Sequence, residues 1–399
     1  MRISTGQVYQ QNTTSILQKQ SATNKILQQL ASGKKVNTAG DDPVAAVGIG
    51  NLKQKNALVD QYMKNIDYAY KHQAVTEGKI GSAETLISSM REQLQRGANG
   101  SLAPNERQMI AEEMKQSLEE LMSIANSQDA DGNYIFAGTD SNIKPFDFDS
   151  NGNIVYSGNS NIREAIVASG VTLPTNVPGD AVFMNAPNPL GDYGVNYLAS
   201  QQGDLFVNSA KIVDETAHIE GDYTFNFVDN AGVIDLQVID PNGVTTTIPN
   251  FDPTNPVTVG GIEVSIEGTP VAGDSFTMQP QESVSILQSL NDAIAYLEDP
   301  QATETPQNAS KLAQLLNNID SGQNQVSTAR GTAGNTLKSL ESFTSNHEEE
   351  QVVNSSALSM LEDLDYAEAI TEFEKQQLAL NAVSSTFGKI GSLSLFNYI

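Results

Sequence analysis

Helical apolar patterning fills both ends of this chain and proline-punctuated strand patterning fills the middle, and that division restricts the fold more than any other feature. Of the 15 prolines, 11 fall between Pro145 and Pro280, and none follows Pro306. A helix with an apolar stripe cannot bury that stripe alone, so chain ends of this kind must close on each other or on neighbouring molecules.

The spacing predicts a first helix from Thr5 to about Gly33, striped by Val8, Ile16, Ala22, Ile26, Leu27 and Leu30. The turn GKKVNTAGDDP ends it, and Asp42 before Pro43 supplies an N-cap with proline in the first helical position. From Val44 to about Arg96, Leu52, Val59 and Ile66 recur at sevens with Met63 and Tyr70 in the intervening seam, a coiled-coil period. At about 1.5 Å per residue that helix would extend for roughly 80 Å. Pro104 opens another helix through Ile110, Met114, Leu118, Leu121 and Ala125.

Between Gly132 and Pro280 the period changes to alternation, as in Tyr223, Phe225 and Phe227, or Ile262, Val264 and Ile266. DNAG at 229–232 and DPNG at 240–243 are expected hairpin tips, and Val171 to Gly194 reads as loop. One mostly β domain, divisible into two lobes, accounts for this stretch. Helical spacing resumes at Val284, Leu287, Leu290, Ile294 and Leu297, and Thr305 caps a further start at Pro306. Near the end Tyr366, Phe373, Leu380 and Phe387 stand at sevens, with Ala369, Gln376, Val383 and Ile390 in the second seam. An apolar tail through Leu393, Leu395, Phe396 and Tyr398 follows.

The expected class is therefore α+β: a long antiparallel helical coiled-coil stalk formed by both termini, with an inserted mostly β domain. Its segments are a terminal helix and turn over 1–40, stalk halves over 41–131 and 281–355, the β domain over 132–280, and a second terminal segment over 356–399. Residues expected to carry self-assembly and partner packing are Ile16, Leu27, Leu30 and Asn37 at one end and Phe373, Leu380, Phe387, Ile390 and Phe396 at the other.

Charge narrows the function. The first 115 residues carry +4 and the remaining 284 carry −30 of the net −26. So negative a chain repels nucleic-acid phosphates, while a basic end facing an acidic remainder favours pairing of the two ends within one molecule or between like molecules. No run approaches the roughly 20 apolar residues of a membrane span, and the opening Met-Arg-Ile-Ser-Thr-Gly lacks a signal-peptide core. Cysteine is absent, which removes disulfides, thiolate metal sites and a cysteine nucleophile together.

Motifs for chemistry are incomplete. Asp147 to Gly152 matches the first half of an EF-hand loop, but Gly158 stands where the bidentate glutamate belongs, so a polar hairpin turn accounts for it better. Asp129 to Asn133 is a weaker copy, read as a helix-exit turn. His347-Glu348-Glu349-Glu350-Gln351 lacks the second histidine of a zinc-protease helix and reads as a solvated acidic face. The acidic pairs Asp41-Asp42 and Glu362-Asp363 are expected at helix starts, where they favour the macrodipole. No cofactor, metal site or catalytic residue is expected.

The run Leu30-Ala31-Ser32-Gly33-Lys34-Lys35-Val36-Asn37-Thr38-Ala39-Gly40-Asp41-Asp42-Pro43 resembles the N-terminal signature of the flagellin family, and Asp365 to Phe373 resembles its closing helix. The opening MRIST, the segment Tyr134-Ile135-Phe136-Ala137-Gly138 with Pro145-Phe146, the run Gly273 to Phe276, Pro43 and the ending Leu393 to Ile399 are more similar to hook-filament junction members of that family than to filament subunits. The resemblance implies a secreted axial subunit, exported unfolded without a cleaved signal and attended by a flagellar export chaperone. It further implies lateral copies of itself in a ring, hook-associated protein 1 on the hook side, flagellin on the filament side, and a β domain facing outward. Two alternatives stand beside it: a bulk filament subunit, and a flagellar stalk displaying an enzyme or ligand-binding module over 140–280.

Overall fold

A computed structural model describes residues 5–392, which divide into two compact units: one made of the chain up to Lys64 together with the chain from Phe343 onward, the other spanning Asn65–Ser342. Two helices, α2 (Pro43–Gly97) and α6 (Pro306–Glu362), contribute to both units.

The first unit contains α1 (Thr5–Ser32), the start of α2, the end of α6 and α7 (Tyr366–Ser392). Asp42 caps α2 by accepting from the Val44 and Ala45 N–H groups at 3.0 Å, and Asp365 caps α7 by accepting from Ala367 and Glu368. Here α2 and α6 run antiparallel, since Lys53 meets Glu362 and Lys55 meets Glu350.

In the second unit the same two helices are held antiparallel by Arg330 between Glu77 and Glu84, and by Arg91 on Asp320. Two further helices pack there, α3 (Pro104–Ala125) and α5 (Ile286–Glu298). Pro104 starts α3 while the Glu106 carboxylate accepts the Ala103 N–H at 2.9 Å, and Ser285 Oγ accepts the Gln288 N–H to cap α5. Ile80, Ile87, Met90 and Leu94 of α2, Met114 and Leu121 of α3, and Leu287 and Leu290 of α5 form one buried core. That core also takes in Phe136, Phe146 and Phe183 from the adjoining β lobe.

This first lobe holds the hairpin β1 (Phe146–Phe148) and β2 (Ile154–Tyr156), the hairpin β3 (Glu164–Ala168) and β4 (Val171–Pro174), the short helix α4 (Gly179–Phe183), and β5 (Ala186–Pro187) paired with β14 (Ser283–Val284). The Tyr134–Gly138 segment knots it together. The Phe136 carbonyl accepts from both the Gly179 N–H and the Tyr156 hydroxyl, and Gly138 has φ +69° with the Asn159 carbonyl where a Cβ would stand.

The second lobe has its own core. A five-stranded antiparallel sheet runs in the order β10 (Thr245–Ile248), β9 (Val233–Ile239), β8 (Tyr223–Asn230), β13 (Ser275–Pro280), β6 (Tyr193–Tyr197). A three-stranded sheet runs β11 (Val257–Val259), β12 (Ile262–Glu267), β7 (Phe206–Ile212). Alternation puts Tyr223, Phe225 and Phe227 inward, and Phe225 stacks on its cross-strand partner Phe276 at 4.6 Å. DNAG forms the β8–β9 tip with Ala231 and Gly232 at positive φ, and DPNG forms the β9–β10 tip.

Three local expectations need correcting. Val171 to Gly194 is not loop throughout: it carries β4, α4, β5 and the start of β6, with Pro174 and Pro187 at strand ends, Pro178 just before α4 and Pro189 in the turn after β5. Val284 lies on β14, two residues before α5 begins. Glu362-Asp363 sits where α6 ends, not where a helix starts, and ammonium groups rather than a macrodipole neutralise it.

Candidate assembly surface

In the first unit α1 and α7 pack antiparallel, since Tyr9 meets Phe387 with ring centroids 4.8 Å apart, Lys19 Nζ donates to Gln376 Oε1 at 3.2 Å, and just beyond the helices the Lys34 and Asp363 backbones pair in an antiparallel bridge. Of the residues expected to carry assembly, Ile16 and Leu30 on α1 and Phe373, Leu380 and Phe387 on α7 are half-buried on these two helices. Leu27 is 46% exposed. Asn37 is exposed too, its backbone N–H given to Asp41. Ile390 lies in α7 with its side chain outside the described residues, and Phe396 lies outside them altogether.

Periodicity found two of the three buried positions of the pair, Ile26 in the first stripe and Ala369 in the second seam, and missed the polar Thr23, one turn from Ile26. A fully buried Leu or Phe contributes about 1.5–3 kcal/mol, so side chains left half-covered hold back part of that gain. Leu17, Tyr366, Ile370 and Leu378 remain exposed on the same helices, Leu378 at 71%. Two helices alone leave much of their apolar surface uncovered.

A polar clasp ties the α1–α2 turn to the α6–α7 corner. Gly33 adopts φ +72°, its carbonyl accepts the Leu364 N–H at 3.0 Å, and the Lys35 N–H donates to the Glu362 carbonyl at 2.8 Å. Lys35 Nζ donates to the Met360 carbonyl at 2.7 Å. The buried Glu362 carboxylate takes both Lys34 and Lys53, and the Lys34 ammonium holds it below the usual glutamate range against the opposing effect of burial. Asp41 accepts from Lys25 Nζ at 2.9 Å and from the Asn37 and Thr38 N–H groups, which holds its carboxyl well below the usual range, Lys25 contributing most. Val36, Ala45 and Ile49 pack with Leu358 and Leu361 beneath the clasp. The turn that reads as a family signature is thus a set of backbone and charge requirements.

The other motifs resolve as structure. Asp149 accepts from the Asn151 and Asn153 N–H groups at 2.8 Å, and Asp129 repeats this with Asp131 and Asn133 at 2.9 Å, so these carboxylates organise turns. His347 is not on a solvated face: it is buried against Tyr62, centroids 5.6 Å apart, with Glu350 3.6 Å from Nδ1. Among the described residues no group of three or more His, Asp or Glu side chains could hold a metal ion, and no helix is long and apolar enough to cross a membrane.

Residues 3–141 match the bacterial flagellin N-terminal helical region and residues 316–399 the bacterial flagellin C-terminal helical region. The chain is 32% identical over 183 residues to flagellar hook-associated protein 3 of Salmonella typhimurium, covering 46% of this chain and 57% of that protein. It is 24% identical to flagellar hook-associated protein 3 of Escherichia coli over 99% of both chains. A solved structure of a flagellar junction protein from Legionella pneumophila superposes with a TM-score of 0.65 at 26% identity, covering 79% of this chain and 99% of that one. These relatives are structural flagellar proteins rather than enzymes.

Proposed function

Because the chain belongs to the flagellin family and is a structural component of the bacterial flagellum, we propose that it works as the adaptor at the hook-filament junction, needed for filament attachment and swimming. The observation that carries this reading is the end-to-end alignment with a hook-associated protein 3, which spans helices and β lobes alike. The half-covered α1–α7 pair supports the mode of action. Copies in a ring cover one another's exposed Leu17, Leu27, Ile370 and Leu378, and cohesion between two lattices follows from apolar burial.

In this reading hook-associated protein 1 lies on the hook side and flagellin on the filament side. The subunit is exported without a cleaved signal and attended by an export chaperone. Ile16, Leu30, Phe373, Leu380 and Phe387 hold the pair, Leu27 meets the next copy, Asn37 shapes the signature turn, and Ile390 and Phe396 extend the seam. The segments 1–40, 41–131, 132–280, 281–355 and 356–399 then serve as terminal helix, stalk, β domain, stalk and terminal helix.

The test is a strain lacking this gene. Hooks without filaments, with flagellin released into the medium and rescue by the restored gene, are expected; normal filaments on the mutant would overturn the reading. The match to both flagellin terminal regions also favours a second reading, a bulk filament subunit. Copy number separates them, since a junction adaptor is present in few copies per filament.

A further inference from the structure

Three Asn-Gly steps occur in the chain, Asn99-Gly100, Asn151-Gly152 and Asn242-Gly243, and all three asparagines are exposed. Their hydrogen bonding differs. Gly152 N–H donates to the Asp149 carbonyl at 3.1 Å and Gly243 N–H to the Asp240 carbonyl at 2.9 Å, so both are locked inside hairpin turns. Among the described residues Gly100 N–H has no such acceptor. The Asn99 side-chain oxygen meanwhile accepts two hydrogen bonds, from Ser101 N–H at 3.1 Å and from Ser101 Oγ at 2.9 Å.

From this we infer that Asn99 is a site of spontaneous deamidation, promoted by its own turn. The Gly100 nitrogen gives its proton to solvent base and attacks Asn99 Cγ. Negative charge collects on the side-chain oxygen, where the two Ser101 donors already point, as in an oxyanion hole. Proton transfer to the amide nitrogen breaks the Cγ–N bond and releases ammonia, leaving a five-membered succinimide. Water then adds to either ring carbonyl, giving aspartate or isoaspartate at position 99. At 151 and 242 the nucleophilic nitrogen must first leave its hydrogen bond, and among the described residues neither side-chain oxygen receives a pair of donors like that at Asn99.

The location gives the change a consequence. The Asn99 carbonyl accepts the Leu102 N–H at 3.0 Å, and the Leu102 carbonyl accepts from the guanidinium of Arg107, a buried cation that also donates to Thr303 Oγ1 and the Pro300 carbonyl. Isoaspartate lengthens the main chain inside this turn, so old molecules differ from new ones where α2 gives way to α3.

Purified full-length chain, incubated in mildly alkaline buffer and mapped by peptide mass spectrometry with isoaspartate methyltransferase labelling, tests this. Conversion at 99 should outpace that at 151 and 242, and Ser101→Ala should slow it about threefold to tenfold, the kinetic equivalent of one hydrogen bond. Position 151 serves as the internal control within the same molecules. Conversion at 151 or 242 keeping pace with 99, or an unchanged rate in Ser101→Ala, overturns the inference.

Discussion

The Lys35 N–H donates to the Glu362 carbonyl at 2.8 Å, fastening the turn that follows α1 to the corner that ends α6. The Glu362 side chain then draws Lys34 and Lys53 onto the same corner, so backbone and charge converge on one buried carboxylate.

That carboxylate makes the first unit sensitive to acid. Its folded pKa is depressed, so its contribution is fully present above the unfolded value of about 4.3 and is lost as pH falls through the folded value. Glu362→Gln should cost about 1–2 kcal/mol at neutral pH. Thermal melts of variant and parent should converge as pH falls through the folded value, below which both carry an uncharged group. A gap that persists in acid would refute the electrostatic account.

Replacing Leu380 and Phe387 together by Asp should abolish incorporation into the flagellum while the β lobes stay folded, because both side chains lie in the α1–α7 pair and not in either β core. Near-ultraviolet circular dichroism of the purified variant checks folding, and filament counts in a complemented strain check incorporation. Normal filaments would count against the seam.

Two glycines with similar φ should respond differently to alanine. Gly152, at φ +82°, has open space where a Cβ would go, so Gly152→Ala should cost only about 1 kcal/mol of backbone strain. Gly138, at φ +69°, has the Asn159 carbonyl oxygen 2.0 Å from that position, and Gly138→Ala must displace main chain. Denaturant midpoints should show the second loss at roughly twice the first or more.

Calcium should leave the melting temperature unchanged, because the Asp149 oxygens already accept from Asn151 N–H, Asn153 N–H and Asn153 Nδ2. Asp149→Ala should destabilise by about 1 kcal/mol with or without the ion. A calcium-dependent rise in the parent alone would restore the binding-loop reading.

Amide exchange should be faster along α1 and α7 than along α3 and α5, since Phe373 and Leu380 are half-covered whereas Met114, Leu121, Leu287 and Leu290 are fully buried. Equal protection in the dilute protein would show that the pair needs no further cover.

Much of this architecture can be read from local signals. Asp42-Pro43 and Thr305-Pro306 mark helix starts because a cap and a proline act within one turn, and DNAG marks a hairpin because positive φ at Ala231 and Gly232 is a local demand. Long-range choices leave no such trace. Nothing near Ser275 says that β13 enters between β8 and β6, and nothing near His347 says that Tyr62 will stack on it. Prolines misled over 171–194, where strands of two to five residues fit between them. The clasp at Glu362 was hidden because its partners Lys34 and Lys53 are more than 300 residues away.

The placement of β13 bears on the order of events in a chain synthesised amino-end first. Tyr193–Tyr197 and Tyr223–Asn230 are made early, yet each pairs with Ser275–Pro280, so a gap stays open down the middle of the sheet until that late strand arrives. That late strand covers Phe225 and joins the β8–β9–β10 meander to the edge strand Tyr193–Tyr197.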